Sequence, residues 1–351
     1  MNKLSLSNEE IRMCNSLLAE VTAQYKSVED AELLRDASLI AHQLPKRVCK
    51  FLNNFKQLEL PSGACLISGF PIDDSRVGPT PEHWKTRSEV SPTLREEIMF
   101  VLLGSLLGDV IGWATQQHGY IVHDVLPIKG DENAQISTGS LQTIWWHNED
   151  AFHPYRGDYV GLMCLRNPDR VPTTFASIDA IQLDQKSKET LFEPRFVIRP
   201  DESHAAKNNG KGNGNGNGNG HKKNIAVDDL IDSTYAQVNQ MKTNPPKLSV
   251  LYGDPQSPYL RLDPYFMDQL EDDTATRALN SLINAIDACL SEVVLQPGDC
   301  LFIDNYRSVH GRKPFRARYD GADRWLKRIN ITRDLRKSRD ARRSPTSRII
   351  F

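Results

Sequence analysis

Apolar positions recur with a helical period through the first ninety residues and gather into short strand-like runs from about residue 110 onward. Segments 8–25 and 28–55 are apolar-periodic, and each begins near a capping-box spacing, Ser7 with Glu10 and Ser27 with Asp30. They predict an N-terminal helical flank over 1–60. GACLISGF at 63–70, behind Pro61 and Ser62, predicts a buried strand. The most apolar stretch, IMFVLLGSLLGDVIGW at 98–113, is interrupted by Gly104, Ser105, Gly108 and Asp109, which predicts a buried helix running into a strand and not a membrane span.

Beyond it, VIGWAT, GYIVHDVLP, DYVGLMCL, TTFASI, FVIRP, LSVLYG, PYLRLDPY, EVVLQ, CLFID and WLKRINIT are separated by turns rich in Gly and Pro. Many short strands punctuated this way predict a mainly β fold with flanking helices, its core a double-stranded β-helix of the jelly-roll, cupin-like type over 61–335. Helical periodicity returns at 226–242 and 269–290, elements expected outside the barrel. AAKNNGKGNGNGNGNGHKKN at 205–224 holds too little apolar surface to offset the entropy of ordering, so it reads as a disordered insertion with a solvated His221. The Arg-rich end, 336–351, reads as a basic tail, either solvated or helical.

Composition changes this picture little. With 351 residues, 39% hydrophobic, 25% charged and a formal net charge of −2, the chain fits one large domain with no bulk attraction to nucleic acid or membrane. Its six cysteines form no CxxC pair, and MNKLSLSNEE lacks the apolar run of a signal peptide, so reduced thiols in the cytoplasm are expected. Oligomeric state leaves no mark in the sequence.

Candidate chemistry concentrates in WWHNEDAFHPYRGDY, beginning at Trp145. His147 and Glu149, two apart, share a face if the backbone is extended and can hold one metal ion together. A second segment, VVLQPGDCLFIDNYRSVHGR at 293–312, carries a strand and a polar loop that delivers His310. Two histidines and one carboxylate form the facial triad that leaves positions open for non-haem Fe(II) oxygen chemistry. A hydrolytic zinc would fit the same three groups. Fourteen residues after His310, RWLKRINIT puts Arg324, Leu326, Arg328 and Asn330 on one face of a strand. Zinc hydrolysis does not call for two aligned guanidiniums, whereas a keto-acid co-substrate with a far carboxylate does.

HNEDAFHPYRGDYVGLMCLRNPDRVPTTFASI, together with PGDCLFIDNYRSVHGRKPFRARYDGADRWLKRINITRDLRKSR, resembles the clavaminate synthase-like Fe(II)/2-oxoglutarate oxygenases. Within them the likeness is greatest to the free-amino-acid hydroxylases of antibiotic pathways that act on arginine. It covers roughly residues 60 to 335. The resemblance implies Fe(II) held by His147, Glu149 and His310, with 2-oxoglutarate and O2 as co-substrates. It implies Arg324 as the 2-oxoglutarate arginine and Thr174, with Thr173 as the alternative, as the hydroxyl partner of the same carboxylate.

For the substrate it implies Arg328 on the α-carboxylate, with Gln116 (or its neighbour Gln117), Ser137 and the free oxygen of Glu149 around the amino-acid head. Asp263 stands where relatives hold a guanidinium. The family's second aspartate is replaced by Tyr265, which can stack on a guanidinium plane. The expected reaction is hydroxylation at Cβ of arginine or a derived guanidino amino acid such as enduracididine, with desaturation or ring closure as alternative outcomes. Asp150, His153, Asp158, His118 and His123 are expected to be structural, and Trp145 and Trp146 to be core or cavity-wall aromatics.

Overall fold

The computed structural model describes residues 1–205 and 225–351; beyond Ala205 the low-complexity insertion, with His221, lies outside the described residues. Among the described residues the N-terminal helices are α1 (Asn8–Gln24), α2 (Ala31–Ala41), α3 (Lys46–Leu58), a short α4 (Asp74–Val77) and α5 (Leu94–Ser105). Ser7 and Glu10 form the reciprocal capping box that the sequence predicts at the start of α1. The periodic segment 28–55 is two helices, because Pro45, which has no N–H to donate, sits at the junction as the N-cap of α3. Asp30 caps α2 with its own carboxylate.

The strands are β1 (Asn2–Ser5), β2 (Ala64–Ser68), β3 (Asp109–Trp113), β4 (His123–Val125), β5 (Ile144–His147), β6 (Tyr159–Arg166) and β7 (Thr173–Ser177). Helix α6 (Gln185–Phe192) and α7 (Ile225–Thr243) come next, then the hairpin β8 (Leu251–Asp254) and β9 (Ser257–Leu260), and α8 (Asp273–Cys289). The chain closes with β10 (Ser291–Val293), β11 (Cys300–Asp304), β12 (Ser308–Arg312), β13 (Trp325–Thr332) and β14 (Ile349–Ile350). FVIRP forms isolated bridges from Phe196 and Ile198 and no strand.

Two sheets face each other as the jelly-roll pattern requires. The larger runs β1-β2-β11-β6-β13-β3-β14, with β4 also paired to β13, and the smaller runs β10-β7-β12-β5. Strand alternation divides the larger sheet's side chains. Leu66, Leu162, Leu301 and Leu326 point between the sheets, where they meet Phe175 and Val293 of the smaller one. Ile67, Met163, Phe302 and Ile329 point outward into a cluster with Leu18, Leu33, Leu52 and Phe100 of the N-terminal helices. On the opposite side Ala176 and Val309 pack against Leu191 of α6 and Leu282 of α8.

Both chain ends are woven into the larger sheet. β1 pairs in parallel with β2, and Ile349 and Ile350 of β14 pair in parallel with Gly112 and Trp113. The segment read as a solvated or helical tail therefore buries Ile350 and Arg342, the latter donating to the carbonyls of Leu335, Ser344, Pro345 and Ser347. A two-residue strand carries no periodicity, so the sequence pattern could not signal it.

The turn before β11 shows how closely its backbone is determined. Gly298 has φ +88°, its N–H donates to Cys164 O at 2.8 Å, and a Cβ there would lie 1.7 Å from the Phe70 carbonyl oxygen. Gly298→Ala is expected to destabilise the fold by at least about 1–2 kcal/mol from the left-handed backbone alone. Urea denaturation compared with the wild type checks this.

Candidate functional site

The three ligand candidates meet between the sheets. His147 ends β5 and is the direct cross-strand partner of His310 on β12, so the two imidazoles lie side by side with ring centroids 4.8 Å apart. Glu149 Oε2 is 3.7 Å from His147 Nε2 and 3.4 Å from His310 Nε2. One ligand atom from each residue lies within 4.8 Å of the others, a spacing that suits a single metal ion.

Glu149 does not owe its position to a continuing strand, since β5 stops at His147. Two asparagines hold it instead. Asn305, in the turn between β11 and β12, accepts from Glu149 N at 2.7 Å and donates to the carbonyls of Glu149 and Gly157. Asn148 donates to Asn305 O and Ser308 O, both at 2.9 Å, and accepts from Leu262 N. The turn that launches the His310 strand is thereby stapled to the turn that carries the carboxylate.

The protonation pattern favours a cation among these ligands. Trp145 O can only accept, so His147 Nδ1–H donates to it at 2.8 Å, and Nε2 is the ring atom turned toward Glu149. Burial opposes a charged His147, but Glu149 and Asp263 outweigh it and raise its pKa to about 9. Burial would likewise raise the Glu149 carboxyl, yet Arg328 and the two histidines hold it well below the usual carboxylate range. A divalent metal at the Nε2 atoms supplies the positive charge this arrangement favours.

A cavity opens from the ligands. At one end Arg328 pairs through Nη1 with Glu149 Oε1, and its Nη2 donates to Gln116 Oε1 at 3.0 Å and to His123 Nδ1 at 2.9 Å. Gln117, by contrast, is occupied with the backbone N–H and carbonyl of Asp124. Ser137 lines this cavity and also a second one that Gln116 and Gln117 line. His123, expected as a purely structural residue, touches the site through Arg328.

Elsewhere along the wall stand Asp263 and Asp201, with Ser203 beside the latter. Asp263 is 7% exposed, and burial, with Asp201 adding its charge, raises its carboxyl to about 6 even though His147 pulls it down. Tyr265 is 56% exposed and lines the cavity without being buried in it. Arg324, Arg312 and Thr173 line a further part. Strand β7 decides between the threonines: Phe175 faces the space between the sheets and Ala176 the outer cluster, so Thr173 points inward and Thr174 away.

Residues expected to be structural are accounted for. Asp150, at φ +51°, accepts from Trp113 Nε1 at 2.7 Å and pairs with His204 at 2.9 Å. His153 packs on Trp113, burial lowers its pKa to about 3, and its Nδ1 accepts from Tyr155 N at 3.0 Å. Asp158 accepts from Arg333 N at 2.8 Å. Asp201, Ser203 and Arg312 escaped the sequence reading. The first two precede the low-complexity stretch and show no period, but Arg312 shares the i, i+2 alternation of His310 and was legible once 308–312 is read as a strand rather than a loop.

Residues 55–330 match the family model of the taurine catabolism dioxygenase TauD, TfdA family. The chain is 45% identical, over the whole of both sequences, to an enduracididine beta-hydroxylase from Streptomyces hygroscopicus. It is also 45% identical, again over both entire lengths, to an L-ornithine/L-arginine 3-hydroxylase from Catenulispora acidiphila. Its structure superposes on crystals of the non-haem iron oxygenase OrfP with Fe, succinate and (3S)-hydroxy-L-Arg at a TM-score of 0.91 and 44% identity, covering all of both chains. OrfP with Fe and alpha-ketoglutaric acid matches at 0.84 and 42%, covering 99% of this chain and all of the other. Among the described residues, no helix is long and apolar enough to cross a membrane.

Proposed function

Because the chain belongs to the taurine catabolism dioxygenase TauD, TfdA family and is a non-haem Fe(II)/2-oxoglutarate-dependent dioxygenase, we propose that it hydroxylates Cβ of a free L-amino acid bearing a guanidino side chain, arginine or a cyclic derivative such as enduracididine. The observation that carries this reading is the distribution of charge around one cavity. Glu149 and Arg328 supply one negative and one positive group beside the metal ligands, matching an α-ammonium and an α-carboxylate. Asp263 and Asp201 supply two carboxylates that, among the described residues, pair with no lysine or arginine. Asp201 thus offers the second acid that Tyr265 replaces in the sequence motif.

With Fe(II) and 2-oxoglutarate bound, the centre reduces O2 while the keto acid is converted to succinate and CO2, and this supplies the oxidising power. The residues of the chain supply position. In the absence of substrate Arg328 holds the free oxygen of Glu149; a zwitterionic head divides that pair, its carboxylate taking Arg328 and its ammonium taking Glu149. Gln116 and His123 keep the guanidinium plane of Arg328 fixed during the exchange. Anchoring the head beside the metal and the far cation on Asp263 leaves Cβ as the carbon nearest the reacting centre. Thr173, which lines the cavity together with Arg324, is the hydroxyl we assign to the keto acid's far carboxylate. A cytoplasmic setting accords with the six unpaired cysteines.

Incubating the Fe(II)-loaded protein with a panel of free amino acids, arginine and enduracididine included, tests the assignment. Succinate formation coupled to a mass gain of one oxygen atom is expected for guanidino substrates, and preferred turnover of neutral amino acids would overturn it. The pH dependence has a definite sign. Asp263 binds a guanidinium only when ionised, so kcat/KM for arginine should fall as pH drops through about 6, the value burial gives this carboxyl. Asp263→Asn should remove that acid limb and lower kcat/KM by roughly 10- to 100-fold, the loss of one charge-assisted contact.

A further inference from the structure

Most buried cations near the site have a carboxylate partner. Lys327 lies between Glu97 and Asp124, Arg328 meets Glu149, and Arg307 meets Asp179. Arg312 and Arg324, each 4% exposed, have no such partner among the described residues, and the Nε of each is buried without a hydrogen bond. Arg156 and Arg342 also lack a carboxylate, but neither lines the cavity. Arg312 does, and its only hydrogen-bond partners among the described residues are neutral carbonyls, Gln142 O at 3.0 Å and Ser140 O at 3.4 Å, with the ring of Phe315 beneath its guanidinium at 4.9 Å. Carbonyls orient a guanidinium without neutralising it.

The fold aims this side chain at the same place as Arg324. Arg312 stands two residues beyond His310 on β12, and its direct cross-strand partner on β7 is Thr173. Arg312 and Arg324 are both buried and line the same cavity as Thr173. Two desolvated like charges in one pocket are costly until an anion lies between them.

We propose that Arg312 is a second cationic partner of the co-substrate's distal carboxylate, acting with Arg324 and Thr173, and that the guanidinium pair selects a dianionic 2-oxo acid over a monoanionic one. The inference rests on the 2-oxoglutarate-dependent reading above and adds to it the residue that sets co-substrate charge preference. It also separates Arg312 from a simple tether of the loop at 140–142, which would make no distinction between keto acids.

Anaerobic titration of the Fe(II)-loaded protein, followed by the visible charge-transfer band of the chelated keto acid, tests it without turnover. The probes are 2-oxoglutarate and 2-oxovalerate, which has the same chain length but no distal carboxylate and is read by competition. Arg312→Gln is expected to raise Kd for 2-oxoglutarate by about 10- to 100-fold, from the usual worth of a charge-assisted contact, while Kd for 2-oxovalerate changes by less than about twofold. An equal loss for both acids, or no loss for 2-oxoglutarate, overturns the proposal. Should Arg312→Gln not fold, Arg312→Lys carries the same test with a smaller selective loss expected. If the wild-type protein itself fails to bind 2-oxoglutarate, the underlying reading falls and the inference with it.

Discussion

His310→Ala should lose more than 100-fold of keto-acid-dependent hydroxylation and most of its Fe(II) affinity, exceeding the roughly 10- to 100-fold loss typical when only an outer partner of a metal ligand is removed. The expectation follows from how few groups share the centre. His147, Glu149 and His310 bring donor atoms within 4.8 Å of one another, and removal of one leaves two ligands for a metal that would also have to hold the keto acid. The fold itself should survive, because the outward neighbour Val309 packs in the core while the His310 imidazole contributes to the site. Anaerobic Fe(II) titration alongside thermal unfolding separates the two effects. Hydroxylation retained at wild-type rate in His310→Ala would refute the metal assignment.

How much of this centre could be read from the sequence depended on whether its geometry is local. The inward set Leu326, Arg328 and Asn330, with Arg324 just ahead of the strand, was legible because β13 runs from Trp325 to Thr332, and alternation needs no knowledge of the rest of the fold. Pairing His147 with Glu149 by the same alternation named two residues that the structure brings together, by an incomplete argument. The strand ends at His147, and the carboxylate is held by Asn305, 156 residues away along the chain. Long-range staples of this kind leave no periodic trace. Thr173 and Thr174 could be distinguished only once Phe175 was known to face the inner core, which fixes the register of β7 against β12. Asp201 and Ser203 follow no period at all, and their place in the cavity depends in part on His204, which is buried against Asp150.

The other face of β13 holds the second large effect, and nothing in the sequence suggested it. Lys327 falls among Trp325, Ile329 and Ile331, a face that alternation assigns to packing, yet the residue is 1% exposed and its ammonium lies 2.8 Å from Glu97 and 2.5 Å from Asp124. Trp325 Nε1 donates to Asp124 at 2.7 Å, and Arg87 stands 3.5 Å from Glu97 and 3.4 Å from Asp124. Helix α5, strand β4 and strand β13 are thus tied by two carboxylates around one lysine. Burial alone would raise the pKa of Glu97, but Lys327 and Arg87 hold it at about 2.

Lys327→Met removes the central charge and leaves two buried carboxylates to share Arg87, so a loss of about 3–5 kcal/mol is expected in urea denaturation at neutral pH. Glu97 is depressed in the folded state, so its contribution is complete above its unfolded value near 4.5 and lost as pH falls through about 2. The gap between wild type and Lys327→Met should therefore narrow in acid. Adding Glu97→Gln to Lys327→Met removes one of the stranded charges and should recover part of the loss, which a double-mutant cycle measures directly. If Lys327→Met unfolds within about 0.5 kcal/mol of wild type, as an ordinary surface substitution would, the ion cluster is not what holds β13 against the helices. The site then owes the alignment of Arg324 and Arg328 to hydrophobic packing alone.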